Sequence, residues 1–176
     1  MENRFIMTAF GEDRPGIVAD VTRILFDNGC NLEETSMTQL ADEFTLILLF
    51  SADRPEMTEL LERECRRLEK EKGISAFVRL LRNRSGRTMV ARAGSVLHVE
   101  GVDQAGIVYK VSQFLADKGL NICDLKSQVS PSPGSGTILY IMDIHVQLPE
   151  GTDLSAFEQG LAVVADDLNV DISFSA

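Results

Sequence analysis

Apolar residues recur along this chain at two alternating spacings. Ile17, Val18, Val21, Ile24 and Leu25 form the stripe of an amphipathic helix. A short run before it, Arg4–Phe10, reads as a strand, and "GEDRPG" as the turn between them. Pro15 suits the first helical position and Gly29 the stop after the last turn. "NLEETSMTQL" (Asn31–Leu40) reads as a second strand, "ADE" as a hairpin bend, and "FTLILLFS" (Phe44–Ser51) as its buried return. A second helix starts near Pro55, with Met57, Leu60, Leu61, Cys65 and Leu68 as its stripe, and ends at Gly73. "ISAFVRLL" (Ile74–Leu81) is the last strand of this half.

The same order then returns. "GSVLHVEG" predicts a strand, and Ile107, Val108, Val111, Phe114 and Leu115 a helix stopped by Gly119. "NICDLKSQVS" and "TILYIMDIHVQL" predict a hairpin joined by "PSPGSG". Leu154, Phe157, Leu161, Val164 and Leu168 mark a last helix, and "VDISFS" a last strand. Gly11–Leu32 aligns on Gly101–Ile122 without a gap. Gly11/Gly101, Asp13/Asp103, Gly16/Gly106, Ile17/Ile107, Val18/Val108, Val21/Val111, Leu25/Leu115, Asp27/Asp117, Gly29/Gly119 and Asn31/Asn121 are identical pairs. That density marks an internal duplication. The prediction is α+β: two βαββαβ ferredoxin-like units, each an antiparallel four-stranded sheet with both helices on one face. The units are expected at residues 1–82 and 94–176, with a linker at 83–93.

Composition narrows the function classes. Hydrophobic residues make up 44% and charged residues 25%, so disorder is not expected. The formal net charge of −10 disfavours direct binding of nucleic acid, which needs a basic surplus. The basic run Arg79–Arg92 is read as solvated linker. "FTLILLF" is too short to span a membrane, and no membrane partner is expected. Cys30, Cys65 and Cys123 lack metal-ligand or redox spacing, which suits reduced thiols in the cytoplasm. No nucleophile–base motif, phosphate loop or metal motif appears. His98 and His145, the two histidines, fall inside predicted strands, where structural roles are expected. No enzymatic activity, cofactor or metal is predicted.

One recurring set of residues remains. Asp13, Gly16 and Asn31 return as Asp103, Gly106 and Asn121. Each has a structural reading: Asp as helix cap, Gly as a close-packing residue, Asn as a turn former. Together they also suit a small zwitterion. Free helix N-terminal N–H groups receive a carboxylate, Asp accepts from an ammonium, and Asn both donates and accepts.

"DRPGIVADVTRILFDNGCNL" resembles the start of an ACT domain, a small-molecule sensing module of amino-acid metabolism. The resemblance covers nearly the whole chain. It implies an amino-acid effector at an interface between ACT units, held by the loop after the first strand and by the start of the second. Carried over to this sequence, those contacts are Asp13, Arg14, Gly16, Ile17, Asn31 and Leu32, and Asp103, Gly106, Ile107, Asn121 and Ile122. "DQAG" replaces "DRPG" in the second copy, so the two sites are expected to diverge. The tandem arrangement is similar to a family of transcriptional regulators of glycine cleavage. It implies glycine or a similar amino acid as effector, a protein partner such as a transcription factor, and a homo-oligomer.

Overall fold

The computed structural model describes residues 3–54, 56–81, 95–132, 135–149 and 151–175. The chain separates into two units, Met1–Arg87 and Thr88–Ala176. The linker expected at 83–93 lies outside the described residues, as do Pro55 and part of "PSPGSG".

The first unit runs β1 (Asn3–Glu12), α1 (Ile17–Asp27), β2 (Asn31–Leu40), β3 (Glu43–Ala52), α2 (Met57–Lys72) and β4 (Ser75–Leu80). The second runs β5 (Ser95–Val102), α3 (Ile107–Asp117), β6 (Asn121–Pro131), β7 (Ile138–Gln147), α4 (Leu154–Leu168) and β8 (Val170–Ser175). The sheets are ordered β2-β3-β1-β4 and β6-β7-β5-β8, antiparallel throughout. This is the predicted βαββαβ unit, twice.

Strand alternation decides which face is buried. Phe5, Met7 and Ala9 of β1 and Leu46, Leu48 and Phe50 of β3 point into the first core. They meet Ile17, Val21 and Leu25 of α1 and Leu61, Cys65 and Leu68 of α2. In the second unit, Leu97, Val99, Met142, Ile144 and Val146 meet Val111, Leu115, Phe157, Leu161 and Leu168. Val18 and Val108 lie at the edge of the predicted stripes and stay exposed; Leu154, which opens α4, is exposed as well. Burial pushes the Cys65 thiol up to about 11, so it serves as a small hydrophobe.

The hairpin edge strands β2 and β6 carry an irregularity at the same place. The register shifts between Leu32 and Glu34 in β2 and between Ile122 and Asp124 in β6. The outward faces of the sheets differ. In the first unit Phe10 stacks on Phe77 at 6.1 Å beside exposed Ile47. In the second, His98 Nδ1 lies 2.7 Å from Asp143 Oδ1, with Glu100 nearby. Among the described residues, no helix is long and apolar enough to cross a membrane.

Candidate functional site

Both first helices start on a left-handed glycine. Gly16 has φ 87° and Gly106 φ 100°, a region that L side chains occupy only with strain. A Cβ would meet nothing within 4 Å at either position. These glycines are therefore required by backbone conformation and not by close packing. The helices begin one residue beyond them, so Pro15 precedes the helix and is not its first residue.

Neither helix start has a side-chain cap. Asp20 N–H donates to the Gly16 carbonyl at 2.9 Å, and Lys110 N–H to that of Gly106 at 2.9 Å. The amides between, Val18 and Ala19 in α1 and Val108 and Tyr109 in α3, have no acceptor inside the helix. By contrast, Asp153 caps α4 by accepting from Ala156 N–H at 3.1 Å. Open amides at the positive end of a helix dipole favour an anion.

Asp13 does not cap α1. Its N–H donates to the Asp42 carbonyl at 2.8 Å, and its Oδ2 accepts from Gln39 Nε2 at 2.9 Å. Both contacts tie the loop to the β2–β3 hairpin, whose tip holds Ala41 at φ 53°. In the second unit, Asp103 N–H donates to the Ile138 carbonyl at 3.0 Å. Ile17 and Ile107 follow the glycines but bury their side chains in the cores. They offer only backbone to the loop.

The residue after the loop aspartate distinguishes the copies. Arg14 Nη2 donates to Asp20 Oδ2 at 2.7 Å, and Lys72 Nζ of α2 lies 3.7 Å from Asp20 Oδ1. The Arg14 hydrogen bond, helped by Lys72, holds the Asp20 carboxyl below its ordinary range against some desolvation. In the second unit Gln104 donates to the Leu168 carbonyl at the end of α4. Lys110 pairs with Asp167 there. Both units thus tie the first helix to the end of the second through an ion pair, with the signs exchanged. An arginine from the loop joins it in the first unit alone.

Within one unit the structure does not bring the glycine and the asparagine together. At one end of the first sheet Glu12 pairs with Glu43, and Glu43 with Leu40. At the other end Asn31 pairs with Ser51, and Ser51 with Arg4. The Gly16 loop and Asn31 are thus separated by nearly the length of β1, roughly 25 Å at the rise of a strand. Asn121 is separated from Gly106 in the same way. Leu32 is 42% exposed and borders an open groove with Phe26, Arg23 and Cys30. Ile122 packs partly into the second core, and Asn121 Nδ2 approaches Cys123 Sγ at 3.9 Å. Sequence reasoning missed Asp20, Lys72, Gln39 and Asp42. Asp20 stands in the duplicated window, where its exchange for Lys110 was visible.

Among the described residues, no group of three or more His, Cys, Asp or Glu side chains is placed to hold a metal ion. Two ferredoxin-like units, each with an uncapped first helix, define a tandem α+β module. The ACT-domain sequence profile matches residues 3–79. A UPF0237 protein of Methanopyrus kandleri is 32% identical over 76 residues, 43% of this chain and 84% of that protein. The chain belongs to the ACT-domain family. The glycine cleavage system transcriptional repressor of Escherichia coli is 25% identical over 175 residues, 99% of this chain and 90% of that protein. A protein of unknown function from Galdieria sulphuraria has a solved structure that superposes with a TM-score of 0.79 at 29% identity, over 99% of this chain and 98% of that one.

Proposed function

We propose that the protein is an amino-acid-responsive regulator that takes glycine or a similarly small amino acid at the loop between β1 and α1. The carrying observation is the uncapped helix start behind a left-handed glycine, built twice. The ligand carboxylate meets the Val18 and Ala19 amides, and Arg14 adds a charged donor in the first unit. Asp13 keeps a second carboxylate oxygen for the ammonium. Asn31 and Leu32 lie too far from the loop of their own unit to reach a ligand bound there. In this reading they serve a loop outside that unit, and self-association with a second copy of the chain is a separate part of the proposal.

The likeness to the glycine cleavage system transcriptional repressor of Escherichia coli supports a role in regulating glycine metabolism. In this reading the output passes to a protein partner such as a transcription factor. The net charge of −10 supports that indirect route over contact with nucleic acid. Three free cysteines, Cys30, Cys65 and Cys123, suit the cytoplasm.

A ligand that binds only the folded chain raises stability by about 2.7 kcal/mol at a hundredfold excess over its Kd. Glycine, alanine and serine are the first ligands to screen, by thermal shift and by calorimetry. Sedimentation with and without ligand checks self-association. An upward shift with any of the three is the expected result. No shift and no heat with any amino acid would leave a protein-interaction module of ACT fold in place of a sensor.

A further inference from the structure

We infer that Asp20 is a built-in competitor for the ligand carboxylate in the first unit, holding Arg14 until an amino acid displaces it. The inference rests on the amino-acid reading of the same loop. Asp20 lies in the first turn of α1, directly after the open amides of Val18 and Ala19, and is the acidic residue of that turn. Its carboxylate already occupies the field that a ligand carboxylate would use. It takes the Arg14 guanidinium at 2.7 Å, while Arg14 Nη1 approaches the Pro15 carbonyl at 3.4 Å. Arg14 is 39% exposed and Asp20 22%, so the pair is open to solvent and to exchange.

The pairing permits a clean exchange of partners. When Arg14 turns to a ligand, Asp20 retains Lys72, already 3.7 Å from its other oxygen. No carboxylate is left without a counter-charge, so the step costs little. The second unit cannot work this way. The first turn of α3 holds no acid, Asp20 is replaced by Lys110, and the residue at the Arg14 position is Gln104, fixed on the Leu168 carbonyl. The first unit is accordingly the copy whose occupancy rearranges side chains. That rearrangement runs from the loop through α1 to the end of α2.

The competition predicts opposite signs for two variants. Binding is followed on the two-unit chain by the backbone N–H resonances of residues 16–20, which report on the first unit. Glycine, alanine and serine are the probes, with glycinamide and alaninamide as controls that lack the carboxylate. Asp20→Asn removes the competitor and should tighten amino-acid binding roughly two- to fivefold. Arg14→Gln should weaken it about tenfold or more, through loss of a charge-assisted hydrogen bond. The amides should respond to neither change. In the wild-type chain, saturating ligand should also move the Asp20 carboxyl titration up toward its ordinary range, because Arg14 has left. If an amino acid binds the wild type but Asp20→Asn binds it no tighter and the Asp20 titration stays fixed, the competition is wrong and the sensor reading survives. If none of the three binds the wild type, both fall together.

Discussion

The two units share a fold, a left-handed glycine and a bulge, yet they differ in the ion pairs that join their helices. The first ties Asp20 of α1 to Lys72 of α2; the second ties Lys110 of α3 to Asp167 of α4. The exchanged signs preserve the tie between helices and change what the loop can join. Arg14 finds an acid in the first unit, whereas Gln104 finds a backbone carbonyl in the second. The outward sheet faces diverge too, with Phe10, Ile47 and Phe77 on one and His98, Glu100 and Asp143 on the other. Packing inside each sheet is the conserved framework, and the surface charges are where the copies separated.

The largest expected difference tests the cores. Phe50 and Val146 hold matching places, opposite Leu32 and Ile122 in their hairpins. Phe50→Ala should destabilise its unit by about 3–5 kcal/mol, with loss of the 5.6 Å stack on Phe5. Val146→Ala should cost about 2 kcal/mol. Hydrogen exchange of strand amides in each unit reads the two effects separately. Equal losses would show that the cores are closer in packing than their side chains suggest.

The glycines should behave alike. Gly16→Ala and Gly106→Ala each force an L residue into the left-handed region, at about 1–2 kcal/mol. Thermal denaturation of the single variants should give matching losses. A loss confined to one copy would mean that one loop relaxes and the other does not.

Charge exchange should matter less, because these pairs face solvent. Asp20→Lys alone should lower the thermal midpoint by placing a third cation beside Arg14 and Lys72. Adding Lys72→Asp should recover part of it by restoring a helix-to-helix ion pair of the sign found in the second unit. Failure of the double variant to recover would make Arg14, not Lys72, the important partner of Asp20.

The smallest effect is a pH dependence confined to the second unit. The hydrogen bond to Asp143 raises the His98 imidazole above its ordinary value, with help from Glu100 and against slight desolvation. A raised folded value stabilises the unit fully below the unfolded histidine range near 6.5. That contribution disappears as pH rises through the folded value. The stability gap between the wild type and Asp143→Asn should therefore be widest in mild acid and close above neutrality. Proton NMR of the His98 ring gives its titration directly. A ring that titrates identically in both proteins breaks the assignment.

The element order was legible because burial here is local and periodic. Stripes such as Ile17, Val21 and Leu25, and the alternation in β3, record directly which face meets the core. The stop signals at Gly29 and Gly119 were equally plain, as both adopt positive φ. The site was only partly legible. Gly16 and Asn31 flank a single helix in sequence and so look adjacent. That helix crosses the sheet and delivers them to opposite ends. Asp13 looked like a cap because its spacing permitted one, but Gln39 took the carboxylate first. Contacts of that kind depend on register between distant strands, which no local pattern encodes.

The matched bulges also bear on the duplication. A register shift one residue past Leu32, repeated one residue past Ile122, is an extra residue in the same frame of both copies. Bulges are inherited features of a strand. The recurrence of this one in the same frame agrees with the duplication read from the sequence. The backbone irregularity is thus common to both copies, whereas the charge at the matched helix position, Asp20 against Lys110, is not.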